Sequence, residues 1–108
     1  MSVLTRPEDL VLVNIDENTA ATHAIVDLAA GQTITVYEVY LVAAGTTDVT
    51  FKTATTTVIG PIGMKTGDVL HIPASTVMPF MRCVKGEAFQ ITLSAGERIS
   101  GWARYTQR

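Results

Sequence analysis

The sequence predicts an all-β fold, a single-domain antiparallel β-sandwich of jelly-roll-like type with a short N-terminal arm. Three observations predict it. Apolar and polar residues alternate at period two in one segment after another. These segments are short, about nine in number, and bounded by clusters of Gly, Pro, Asn and Asp. Nowhere do apolar residues keep helical spacing over the roughly three turns that define an amphipathic helix. The abundance of threonine agrees, because a β-branched side chain suits a pleated surface.

Residues 1–9 are polar and terminal and read either as an arm that orders against a neighbour or as a frayed terminus, leaving 10–108 as the sandwich domain. Leu10 to Ile15 is an apolar strand after Pro7, closed by the turn formers Asp16-Glu17-Asn18. From Ala21 to Leu28 the alternation sets Ala24, Val26 and Leu28 against His23, Ile25 and Asp27. Thr33 to Ala43 is the longest strand and apolar on both faces, with Ile34, Val36, Tyr40 and Val42 on one and Tyr37, Val39 and Leu41 on the other, so it belongs in the middle of a sheet. Thr47 to Thr53 alternates cleanly through Val49 and Phe51. Thr55 to Ile59 is a short strand closed by Gly60-Pro61-Ile62-Gly63, and Asp68 to Ile72 is another. A loop from Pro73 to Pro79 leads to a strand over Phe80 to Val84. The chain then ends in two strands, Ala88 to Leu93 and Arg98 to Tyr105, whose tight Ser94-Ala95-Gly96-Glu97 link reads as the turn of a β-hairpin.

A chain of 108 residues supports one core and no second domain. Only 17% of residues are charged, against about a quarter in a typical soluble domain, so the surface is under-charged for a free monomer. The formal net charge is −2 and the basic residues are scattered, which leaves no stripe to follow a phosphate backbone and argues against nucleic-acid binding. No apolar run reaches the roughly 18 residues of a membrane span, and Met1 to Leu10 lacks the apolar stretch of a signal peptide, so a soluble protein without membrane partners is expected. Cys83 is the single cysteine, read as a small strand side chain in a reducing compartment.

Catalytic arrangements find little support. A cupin-like metal site needs several histidines and a carboxylate converging inside the barrel, and only His23 and His71 are present, on separate strands. No Gly-x-Ser-x-Gly elbow surrounds a serine, and no glycine cluster leads into the Gly-Lys-Ser/Thr of a phosphate loop. No enzyme activity, cofactor or metal is therefore expected.

Trp102 is the residue that most suggests a function. In a regular strand it shares a face with Arg98, Ser100 and Arg104, while Ile99, Ala103 and Tyr105 point inward. An outward tryptophan between two arginines has the composition of an interface anchor. The alternative is that Gly101 forms a bulge turning Trp102 into the core. Glu38 poses a similar question beside Tyr40: its carboxylate either meets an arginine across a subunit boundary or lies at the rim of the sheet. The candidate interface is thus Trp102, Arg98, Arg104, Glu38 and Tyr40.

At these residues a family resemblance enters. Gly86-Glu87-Ala88-Phe89-x-Ile91-x-Leu93-Ser94-Ala95, followed by Ile99-Ser100-Gly101-Trp102-Ala103-Arg104-Tyr105, resembles the C-terminal hairpin of small virion proteins of tailed bacteriophages, where a Gly-Glu-x-Leu-x-Leu strand precedes a Ser-Gly-x-x-x-Tyr strand. The resemblance implies a capsid decoration (cement) protein, a homotrimer bound to the major capsid protein on the particle surface and assembled in the host cytoplasm. It also implies intersubunit contacts through the arm and the outer face of the last strand, and no active site. A fibre or tail attachment component is the alternative within virions. A small carbohydrate-binding module is the alternative outside them, and it would expose an aromatic groove.

Overall fold

The computed structural model describes residues 10–28, 30–54, 56–75 and 78–108, so the expected arm, residues 1–9, lies outside the described residues. Alternation delivers nine strands: β1 (Val11–Glu17), β2 (Thr22–Val26), β3 (Ile34–Ala43), β4 (Thr47–Thr53), β5 (Thr56–Met64), β6 (Val69–Ile72), β7 (Met81–Arg82), β8 (Phe89–Leu93) and β9 (Ile99–Gln107). All pairings are antiparallel. One sheet runs β1-β9-β3-β6, with β7 beside β6 on the same edge of β3, and the other runs β2-β8-β4-β5.

The pairings nest. β1 meets β9, β2 meets β8, β3 meets β6 and β7, and β4 meets β5, as in one long hairpin with its tip between β4 and β5. Rolling that hairpin brings β9 against β3 and β8 against β4, which closes two sheets over one core. The result is a β-sandwich with jelly-roll connections. Every link outside the β4–β5 tip and the β6–β7 passage changes sheet.

This arrangement corrects the reading of the last two strands. β8 and β9 form where expected, yet they do not pair with each other: β8 lies between β2 and β4, and β9 between β1 and β3. Their short link crosses from one sheet to the other. Two ends also differ. β1 continues through Asp16 and Glu17, because both residues keep their register with Ser100 and Ile99. β5 runs on past Gly60-Pro61 to Met64, which an edge strand tolerates since a proline there need not donate to the ladder.

The core interleaves Ile15, Val39, Leu41, Ile99 and Ala103 of the first sheet with Val49, Phe51, Phe89, Ile91 and Leu93 of the second. Phe51 lies parallel to Phe89 at 6.3 Å between centroids and edge-on to Phe80 at 4.9 Å, both within the range of favourable aromatic pairs. A bulge in β2 at Ile25 modifies the expected alternation: His23 pairs with Ile91 and Val26 with Phe89, so these two share the inner side. At that edge of the core His23 spans Glu17 Oε2 at 3.1 Å through Nδ1 and the Thr19 carbonyl at 2.9 Å through Nε2, fastening the crossing from β1 to β2.

Gly101 fixes the approach of the two central strands. It faces inward opposite Leu41 at φ +154°, and a Cβ there would run into the backbone carbonyl of Tyr40. The conformation and the space both demand glycine. Gly101→Ala is expected to lower stability by about 2–4 kcal/mol in urea denaturation, with the slope unchanged. A loss under about 1 kcal/mol would show that the β3–β9 spacing can relax.

Cys83 follows β7, and its N–H bonds the Ile34 carbonyl. It is 3% exposed, and burial pushes its thiol above the ordinary 9.0, with Glu87 adding to the rise and a hydrogen bond to Thr53 opposing it. The neutral thiol is therefore favoured in the folded state. Above 9.0 the unfolded chain loses this proton first, so the contribution is complete below that pH and declines as pH rises. Cys83 should therefore make the folded protein lose stability as pH rises above that value. In urea titrations from about pH 8 to about pH 10, Cys83→Ala should show a shallower decline than the wild type. Parallel declines would mean that the thiol ionises equally in both states.

Candidate interaction face

The outer face of the β1-β9-β3-β6 sheet is built around a bulge in β3. Val36 pairs with Tyr105 and Glu38 with Arg104, leaving Tyr37 as the extra residue. A one-residue insertion reverses which side chains point inward. Ile34 and Val36 before the bulge, and Val39, Leu41 and Ala43 after it, therefore all reach the core, while Glu38, Tyr40 and Val42 face out. Strict alternation, which joins Ile34 and Val36 to the Tyr40 face, is overturned here.

The ladder then assembles a row across the sheet. His71 of β6 pairs with Tyr40 of β3, Tyr40 with Trp102 of β9, and Trp102 with Asn14 of β1. Tyr40 and Trp102 are parallel within 11° at 5.7 Å, and the His71 ring stands edge-on to both, at 5.5 Å from Tyr40 and 6.3 Å from Trp102. The register runs unshifted through Gly101 on both sides of β9, so Trp102 stays on the outer face, half-buried. The alternative of a Gly101 bulge carrying it into the core does not hold.

A charged group adjoins the row. Arg104 places its guanidinium carbon 5.2 Å from the centre of the Trp102 ring, within cation–π range. Its Nη1 lies 3.4 Å from Glu38 Oε1, and His71 Nε2 lies 3.2 Å from Glu38 Oε2. Glu38 as a residue is only 8% exposed. The Arg104 contact lies outside hydrogen-bond geometry, and the buried Glu38 Oε1 accepts no hydrogen bond among the described residues. A buried carboxylate oxygen short of a donor is costly unless a further group completes it.

Four of the five expected residues, Trp102, Arg104, Glu38 and Tyr40, thus come together. Arg98 does not join them: it pairs with Asp16 at 3.4 Å, both side chains more than half exposed. His71 is the member that sequence reasoning missed. The alternation of its strand sets it outward, but only the long-range β3–β6 register places it beside Tyr40. It is also far from the role a cupin-like site would give it, since His71 faces out while His23 faces in on the other sheet. Among the described residues, no group of three or more His, Cys, Asp and Glu side chains is placed to hold a metal ion.

Comparisons with protein-family models, with curated proteins and with solved structures find no match to this chain.

The Glu38–Arg104 contact can be measured directly. Arg104→Met should cost about 1–2 kcal/mol, because it leaves the Glu38 carboxylate enclosed without its strongest neighbour, a figure held down by the partial exposure of Arg104. Glu38→Gln in the Arg104→Met background should recover part of that loss. A double-mutant cycle giving no coupling would mean that the guanidinium serves Trp102 and not the carboxylate.

Proposed function

We propose that this protein is a non-enzymatic structural component of a phage virion, a capsid decoration protein that binds the outer shell, self-associates as a trimer and stabilises the particle. The observation that carries the reading is the outer-face row of His71, Tyr40 and Trp102 with Arg104 beside it and an incompletely bonded Glu38 carboxylate beneath. Aromatic residues and arginine are the side chains most enriched at the centres of protein interfaces. A buried acceptor without a hydrogen bond is the kind of group that an incoming donor completes. The resemblance over residues 86–105 supports a virion setting through its sequence pattern only, since β8 and β9 do not form the hairpin to which that pattern was compared, and the low charge content of 17% suits a surface that is covered in use.

The arrangement favours a protein partner over a sugar. Carbohydrate modules stack a pyranose on an open aromatic face, whereas Tyr40 and the Arg104 guanidinium already engage the Trp102 ring. Attachment to the shell would be mechanical, with modest contacts repeated by symmetry and strengthened by multivalency.

Light scattering over a range of concentrations tests this reading. Wild-type protein should have a mass that is a multiple of the 11.6 kDa chain, with Trp102→Ala folded but losing the trimeric contact. A folded wild-type monomer at every concentration, stabilised against heat by soluble oligosaccharides, would transfer the row to a sugar-binding role.

A further inference from the structure

We infer that β1 is a docking edge for a second copy of this chain, joined by antiparallel pairing of β1 with β1 about a two-fold axis at Asn14. The four sheet edges are not alike. β6 has four residues and β7 two, with Pro73 directly after the first and Pro79 shortly before the second. β2 is short and bulged at Ile25. β5 carries Gly60-Pro61 in its middle and two register shifts against β4. Short strands, prolines and bulges are the ordinary protections of a sheet edge against further pairing.

β1 has none of them. It runs seven residues in unbroken register with β9, from Val11 opposite Tyr105 to Glu17 opposite Ile99, and contains neither glycine nor proline. Among the described residues no strand pairs with its other edge. Val11 and Leu12 are 50% and 60% exposed. A regular strand with free backbone groups and apolar side chains is a template for strand addition.

The sequence of β1 selects a copy of itself as the occupant. An axis at Asn14 sets Val13 against Ile15 of the second copy on the inner side, a β-branched pair of the kind that stabilises sheets. On the outer side it sets Leu12 against Asp16, so the two Asp16 carboxylates do not face each other, while on the inner side Glu17, already held by His23, falls against Val11. Leu12 is the cross-strand neighbour of Arg104. Asp16 of one copy therefore lies two strand spacings, roughly 10 Å, from Arg104 of the other, and the guanidinium lies on the side of Leu12 that faces away from that acid. The row of each copy, from His71 through Tyr40 and Trp102 to Asn14, meets its counterpart at Asn14 and continues across the joined sheet.

This inference extends the assembly reading, because a two-fold at β1 links copies through a surface other than the outer-face row. A three-fold contact alone closes on itself, whereas three-fold and two-fold contacts together connect copies into the kind of net that covers a shell.

Cross-linking tests the register. Opposed residues of an antiparallel pair have Cα atoms about 4.5–5.5 Å apart, within the range a disulfide spans. Cys83 is buried, so the native background is low. Asn14→Cys should give a covalent dimer on mild oxidation, both alone and in the Trp102→Ala background, whereas Leu12→Cys or Asp16→Cys should not. Two further variants at exposed Leu12 should separate in sedimentation equilibrium. Leu12→Lys meets Asp16 of the second copy and Leu12→Glu is repelled by it, so the dissociation constant of Leu12→Glu should be about tenfold weaker, the contact occurring twice by symmetry. No cross-link at Asn14, or equal affinities for the two Leu12 variants, overturns the two-fold at β1. Loss of the trimer in Trp102→Ala with the Asn14 cross-link retained leaves it standing, and failure of the outer-face reading alone shows as an Asn14 cross-link with no effect of Trp102→Ala on mass.

Discussion

The single inserted residue in β3 is the constraint on which the rest of the molecule depends. With Tyr37 bulged between Val36 and Glu38, the two halves of a ten-residue strand present opposite parities to the core. Ile34 and Val36 pack inward from one half, and Val39, Leu41 and Ala43 from the other. Without the bulge one half would have to expose its aliphatic residues or bury Glu38 and Tyr40. β3 is also the strand with most neighbours, touching β9 along its length and β6 and β7 on its other edge. The device that keeps the core apolar also sends Glu38 and Tyr40 outward, where β9 supplies Trp102 and Arg104.

Local pattern made the strands legible and left their partners hidden. About nine segments read as strands by alternation or apolar run, and nine strands form among the described residues, because side-chain period is a property of the strand itself. Alternation offered the outward setting of Trp102 and Arg104 beside a Gly101 bulge, and the unshifted register of β9 through Gly101 decides between them. What failed depends on distant chain. The Ser94 to Glu97 link looks like a hairpin turn in sequence, yet β8 is drawn to β2 and β4, and β9 to β1 and β3, because each must place its apolar face over a different half of the core. His71 escaped notice because a four-residue strand gives no clue to which tyrosine will stand opposite it. Arg98 was grouped with Trp102 by spacing alone. It precedes the first paired residue of β9 and turns to Asp16 on β1. The bulges at Tyr37 and Ile25 were equally invisible, since neither carries a glycine to mark it.

The two sheets present outer faces of different chemistry, and this gives the molecule a direction. On the β2-β8-β4-β5 sheet, Thr22, Thr92 and Thr50 form one row across the strands, and Ala24, Gln90, Lys52 and Thr57 the next. The hydroxyls of Thr22 and Thr92 bond each other at 2.7 Å, satisfying their polar groups within the chain. Such a face is at ease in water. The opposite face carries the stacked Tyr40 and Trp102, the edge-on His71, the half-exposed Arg104 and the exposed Val69 on the neighbouring rung. Both sheets contribute to one core, so the sandwich itself does not require this difference. A two-sided sheet protein with one face of hydroxyls and one of aromatics is suited to lie against a surface, its threonine side toward solvent and its aromatic side toward a partner. An enclosed oxygen without a hydrogen bond among the described residues occurs on each sheet, Glu38 Oε1 on one and Gln90 Oε1 on the other, so it is the aromatic row with Arg104, and not the unpaired acceptor, that sets the two faces apart.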